Sequence, residues 1–414
     1  MSRLTRHEYN PLMQSYRTAM RCGKCGLCRY IDNNEIRNLR FSLICPSGAK
    51  FKYEEYWGSG KSEILRGLVT QLGAVTTEIE INERLVHALY TCTACAGCQV
   101  ICESIGKEPL KTIISIREKI FLEGEILEPH KKMLGNIRET GNPWGRAAEA
   151  RAGWLKDVEG AKDLAKDKAE VLFYVGCAPY KPELRESAAA AARILGKTGA
   201  DFGTLGAREK CCGIAMMRIG DARGFEKIAA ENLEAFGKSG AEKIVTSCAC
   251  CFQVLRDEYE EIAGGDLDFE VLHVTEYLSG LLDDGKLKLK KPPADLFGSK
   301  KPRVTYHDPC SLGRYTRVYE PPRNVLNAVD GMEFVEMYRN RANSWCCGAG
   351  GGGETAAAYP DYAAWVAGER IEEAKAVGAG AVVTACPFCE DALAAAAGKH
   401  TRVIDVARLV DALV

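Results

Sequence analysis

The sequence predicts a multidomain α and α/β protein, with a mostly helical N-terminal part followed by two related α/β units with parallel strands. Three observations predict it. Apolar residues recur at helical spacing in the first third of the chain, with little period-2 alternation. The C-terminal part repeats itself. The 19 cysteines among 414 residues also fall into two regimes, eight between positions 22 and 102 and eleven from 177 onward.

The helical part rests on segments such as 61-KSEILRGLVTQLG-73 and 110-LKTIISIREKIFLEG-124, whose apolar residues line one face at a 3.6-residue period. The second lacks a strong opening cap, so its start is loosely set. A cysteine-free gap follows, with Pro129, Pro143 and the charged stretch 156-KDVEGAKDLAKDKAE-170, which reads as a solvated helical linker. The repeat is then legible within the chain. The segment 171-VLFYVGC-177 matches 304-VTYHDPC-310, and 211-CCG-213 matches 346-CCG-348. Further on, 243-KIVTSCACC-251 matches 381-AVVTACPFC-389, and 269-FEVLHVTEYLSGLL-282 matches 401-TRVIDVARLVDALV-414. Short β-branched runs alternating with Ala/Glu-rich helical stretches indicate βα units and parallel pairing. The expected units are 1–130, a linker 131–170, 171–291, and 292–414 opening on the Pro-rich 292-PPADLFGSKKP-302.

Composition excludes several classes. With 55 Lys plus Arg against 56 Asp plus Glu, no global field draws nucleic acid or anionic lipid. No apolar run reaches the length of a membrane span. The start, MSRLTRHEYNPLMQSYRTAM, has no secretory h-region, so a cytoplasmic location is expected. In that compartment thiols stay reduced, and an odd count is not a closed set of bridges.

The first eight cysteines lie in 22-CGKCGLC-28, in 45-CP-46, and in 92-CTACAGCQVIC-102. Cys22, Cys25, Cys28 and Cys45, with Cys92, Cys95, Cys98 and Cys102, supply two groups of four thiols. A cubane [4Fe–4S] cluster takes four thiolates, three from one tight C-x-x-C-x-x-C loop and one from elsewhere. Structural zinc is the alternative, but it favours two separated pairs, and a third Cys at the same step would be surplus twice. Glu103 follows Cys102 where the bacterial ferredoxin run has Pro. Arg21, Lys24, Arg29 and Arg40 near the first run read as a solvated face.

The repeated units each carry C…CC…C-x-x-C, namely Cys177, Cys211, Cys212, Cys248, Cys251 and Cys310, Cys346, Cys347, Cys386, Cys389. These positions follow strands, and in a parallel α/β sheet such ends converge on one rim. Five thiolates outnumber what one zinc or one cubane uses. Neighbouring cysteines ligate one metal only with strain but can reach two irons of an opened cluster. The segment 348-GAGGGGE-354 lets backbone approach such a cluster. Vicinal disulfides or buried free thiols are the alternatives. Cys250, at an x position of 248-CACC-251, reads as an incidental small residue. His307 in HDPC reads as a structural His beside a cluster, with proton or hydrogen-bond donation as the alternative. His273 has no stronger claim.

These motifs together resemble the catalytic subunit of heterodisulfide reductase in its fused form, an α-helical ferredoxin module followed by two CCG domains. The resemblance covers essentially the whole chain. It implies two cubane clusters, with Cys102 crossing over to Cys22, Cys25 and Cys28, and Cys45 crossing to Cys92, Cys95 and Cys98. It also implies a noncubane [4Fe–4S] cluster in each complete five-cysteine set, hence one or two of them. The activity it implies is electron transfer from the cubanes to the noncubane clusters and cleavage of a thiol disulfide between them. A second implication is an electron relay within a quinone-linked or cytochrome b-linked membrane complex, or a glycolate, lactate or glycerol-3-phosphate oxidising system. The sequence holds no flavin or nicotinamide fingerprint, so at least one partner is another polypeptide: a b-type membrane cytochrome, a flavoprotein or a cytochrome c. Attachment to a membrane would come through such a partner.

Overall fold

A computed structural model describes residues 11–74, 81–299, 301–399 and 401–414. The charged opening residues 1–10 lie outside them, as does Lys300 of the Pro-rich joint. The N-terminal part is helical, built chiefly on Pro11–Met20, Gly58–Ala74, Glu83–Tyr90 and Pro109–Leu122. Leu12, Leu65, Leu89, Ile113, Ile116 and Ile120 form its core. The helix Pro109–Leu122 opens on proline at N1 and has no side-chain cap, in keeping with its weak start signal. No helix among the described residues is long and apolar enough to cross a membrane.

The first α/β unit contains strands β1 (Lys162–Asp163), β2 (Val171–Phe173), β3 (Phe202–Thr204), β4 (Lys243–Thr246) and β5 (Glu270–His273). The second contains β6 (Arg303–His307), β7 (Glu333–Val335), β8 (Ala381–Thr384) and β9 (Arg402–Asp405). Sheet orders are β1-β3-β2-β4-β5 and β7-β6-β8-β9, with every pairing parallel. The central strands β2 and β8 are buried throughout, which explains their unbroken apolar runs.

The stretch 156–170 departs from the helix its composition suggests. Residues Ala152–Asp157 form a 3₁₀ turn, Gly160 adopts φ 82°, and Lys162–Asp163 add an edge strand to the first sheet. Asp163 explains the switch: its carboxylate accepts from the Ala165 amide at 3.2 Å and pairs with Arg208 and Lys166, an Asx-type turn competing with helix. The segment is thus part of the first sheet.

The two units embrace through exchanged helices. The helix Arg185–Lys197, after β2, packs on the last helix of the second unit, with Arg193 donating to Asp411 at 2.8 Å. Reciprocally, Glu320–Asn327 packs on Val274–Asp283, with Asn324 donating to Ser279 at 3.0 Å. This pseudo-two-fold exchange fuses both units into one core and brings Cys248 of the first unit against Cys386 of the second.

Candidate metal centres

Both N-terminal cysteine runs wind the same way. In 22-CGKCGLC-28, Lys24 and Gly26 have φ of 56° and 81°; in 92-CTACAGC-98, Ala94 and Ala96 have 47° and 60°. Left-handed backbone is costly for non-glycine residues, so its recurrence at matching positions marks a functional loop conformation. Cys102 neighbours Cys22 and Cys25, whereas Cys45 neighbours Cys92 and Cys95. Gly58 stands between the two groups. A Cβ there would lie 2.9 Å from Cys98 Cβ and 3.5 Å from Cys28 Cβ, so only glycine allows this approach.

Each five-cysteine set is also gathered. Cys177 contacts Cys211, Cys212 contacts Cys251, and Cys251 contacts Cys248. In the second set Cys346 contacts Cys310 and Cys347, and Cys389 contacts Cys347 and Cys386. Hydrogen bonds from Cys177 and Cys212 hold the Cys211 thiol well below its ordinary range. Those from Cys346 and Cys389 do the same at Cys347. The glycine of each CCG has φ above 80° and aims its amide back at the first cysteine: Gly213 N–H to Cys211 Sγ at 3.5 Å, Gly348 N–H to Cys346 Sγ at 3.4 Å. A side chain at Gly348 would strike the Ala363 carbonyl at 2.7 Å.

The groups connect in series. Cys95 of the helical part contacts Cys346 of the second set. Cys386 of the second set contacts Cys248 of the first. With Gly58 joining the two N-terminal groups, the cysteines form one continuous file.

Buried cations accompany this file and went unseen in the sequence. Lys107 lies beside Cys22 and Cys102, and Lys61 beside Cys45; both are buried. Arg314 sits among Cys95, Cys310 and Cys346, and Arg151 near Cys177. Arg314 Nε donates to the Cys95 carbonyl at 2.6 Å and Nη1 to the Ser344 carbonyl, while Nη2 has no hydrogen-bond partner among the described residues. The π-helical turn Ser311–Tyr315, directly after Cys310, aims it there. Arg151 faces Glu209 at 3.2 Å. Buried cations need anionic company, and thiolate-bound iron–sulfur clusters supply it. Sulfur-rich donors, a small-residue cradle and these cations therefore fit such clusters better than zinc.

His307 is fully buried, and Arg370 Nε donates to its Nδ1 at 3.1 Å. Its proton is thereby placed on Nε2. A ring nitrogen and the sulfurs of Cys347 and Cys389 lie within 4.8 Å of one another. Burial pulls its pKa down, which favours the neutral ring. His273 instead caps the helix Val274–Asp283, its Nδ1 accepting from the Thr275 amide at 3.2 Å. Asp405 fills that role in the second unit. Of the basic residues near the first run, Arg40 binds Glu369 through two bonds of 2.7 and 2.9 Å. It ties the helical part to the second unit while its side chain stays 55% exposed, in keeping with a solvated face, and Lys24 and Arg29 pair with Glu63 and Glu54.

Glu354, closing the glycine-rich loop, is buried beside Arg117 at 3.9 Å. Burial pushes its pKa up from 4.5 to about 7, with Arg117 and Arg218 opposing. A raised folded value means the native state binds more protons between pH 4.5 and 7. That stability is present below 4.5 and lost as pH rises through 7. Glu354→Gln is expected to flatten the fall in unfolding free energy between pH 5 and 8, by up to about 3 kcal/mol, read by denaturant melts across that range. An unchanged pH profile would count against this.

Comparison with known proteins places two copies of the cysteine-rich domain family at residues 171–256 and 304–394. A subunit of the dihydromethanophenazine:CoB–CoM heterodisulfide reductase of Methanosarcina acetivorans is 36% identical over 383 residues, 89% of this chain and 87% of that protein. Its counterpart in Methanosarcina barkeri is 34% identical over 321 residues, 76% and 73% respectively. An EtfAB:quinone oxidoreductase of Syntrophomonas wolfei is 30% identical over 421 residues, 95% of this chain but 57% of its own length. Among solved structures, a hypothetical protein from Helicobacter pylori covers 85% of this chain, and the chain covers 67% of it, at TM-score 0.54 and 11% identity, a likeness of fold.

Proposed function

Because the chain belongs to the heterodisulfide reductase family of iron–sulfur oxidoreductases with paired cysteine-rich domains, we propose that it passes electrons through two cubane clusters to two noncubane [4Fe–4S] clusters and cleaves a thiol disulfide between them. The proposed cubane ligands are Cys22, Cys25, Cys28 with Cys102, and Cys92, Cys95, Cys98 with Cys45. The two complete five-cysteine sets would hold the noncubane pair. What carries this reading is their meeting at the Cys248–Cys386 contact. Splitting a disulfide takes two electrons and yields two thiolates, so two complete sites face to face suit it.

When bound, the clusters supply one-electron steps and sites for sulfur. The chain's own residues do the rest. The Cys95–Cys346 contact brings the helical part against the second site. Arg314 offsets negative charge between them, and His307 donates toward Cys347. A groove of about 340 Å³, lined by Met133, Trp144, Gly352 and Phe388, offers the approach. Phe388 also lines the cavity enclosed by the second set and Cys250, so it stands where a substrate would pass. Electron entry belongs at the other end, where Cys25 is exposed and Leu39 and Ile105 are 72% and 93% exposed. A polypeptide donor would dock there.

A relay without its own substrate is the second reading, favoured by the size of that cavity, about 10 Å³, roughly one water. The discriminating experiment supplies a low-potential donor and small thiol-derived disulfides to the anaerobic protein. Disulfide-dependent oxidation of the donor supports cleavage. No turnover and no disulfide-induced EPR signal leave the relay.

A further inference from the structure

The nineteenth cysteine does not behave as filler. Cys250 comes from the first unit, yet it lines the cavity that Cys310, Cys346, Cys347, Cys386 and Cys389 of the second unit enclose. Its sulfur lies within 4.8 Å of those of Cys248 and Cys386. Ser311, next to Cys310, directs its hydroxyl at Cys250 Sγ at 3.8 Å. The matching residue of the second unit is Phe388, so the pseudo-two-fold symmetry is broken at the seam. The second site is thus offered a sixth sulfur from across the seam, while Phe388 lines that same cavity from the second unit itself.

We propose that Cys250 is a sixth sulfur donor to the second five-cysteine site, contributed by the first unit, and that this makes the two sites chemically unequal. Binding through the thiolate releases its proton, and with five other donors present the site assembles without it. A donor that is dispensable for assembly is one that an incoming thiol can replace, so the second site is where substrate sulfur would first bind. This rests on the reading of both sets as cluster sites.

The test compares wild-type protein with Cys250→Ser and Cys250→Ala, all purified anaerobically. Iron and sulfide per chain are expected to be the same in all three. The EPR signal of the second site is expected to shift, differently for Ser, which retains an oxygen donor, and Ala, which retains none. Its oxidised-to-reduced ratio at fixed poise should change roughly tenfold, the equivalent of 59 mV for one electron. Cys, Ser and Ala are close in size, so a space-filling thiol would leave three superimposable spectra and overturn the inference. Wild-type iron of about eight would overturn both it and the reading beneath it; about sixteen with superimposable spectra would overturn the inference alone.

Discussion

Replacing Cys346 by Ser is expected to remove about four of sixteen irons and to cut electron delivery to a disulfide at least about a hundredfold. Loss of an outer-shell partner alone costs 10–100-fold at a metal site, and Cys346 is proposed as a direct ligand. It is also the residue that touches Cys95 across the module boundary, so the change breaks the file at its middle. The two N-terminal groups share no ligand with it. Their clusters should still be reduced by a low-potential donor and show unaltered EPR signals. Unchanged iron content and unchanged delivery would remove Cys346 from the path.

Replacing Arg314 by Leu is expected to lower the potentials of both neighbouring sites by on the order of 100 mV, since one buried unit charge beside a redox centre is worth ~2–4 kcal/mol at an effective dielectric near 20. Reduction adds negative charge, and the guanidinium among Cys95, Cys310 and Cys346 favours that form. The same change removes its bonds to the Cys95 and Ser344 carbonyls. The lost partners should cost about 3 kcal/mol of stability. Arg314→Lys keeps the charge but loses the planar fork, so it should recover most of the potential and little of the stability. Redox titration and thermal melting of the three proteins separate the two effects. Potentials unchanged in the Leu variant would contradict the counter-charge role.

Much of the fold was legible because the duplication repeats both the β-branched strands and the cysteines that follow them. β2, β4, β5, β6, β8 and β9 all fall where matched segments place them. The strands β1, β3 and β7 are two or three residues long, lie outside the matched segments and leave no periodic signal. The stretch 156–170 reads as helix because Lys, Ala, Leu and Glu favour helices, while Gly160 and the turn at Asp163 decide otherwise. Within the candidate sites the cysteines announce themselves by spacing. Lys61, Lys107, Arg151 and Arg314 do not, because which cation reaches which thiol is set by tertiary packing. Cys250 was hidden for a related reason: an x position within a motif gives no hint of facing the other copy's site. His307 does lie beside Cys347 and Cys389, but Arg370, which sets its tautomer, is 63 residues away.

A file of four clusters along one chain is tested most directly by anaerobic quantitation of iron and acid-labile sulfide, with EPR on the same sample. Four clusters give about sixteen of each per chain, four per cluster, with cubane and noncubane signals both present. About eight, with cubane signals only, would contradict it and leave the paired five-cysteine sets without clusters.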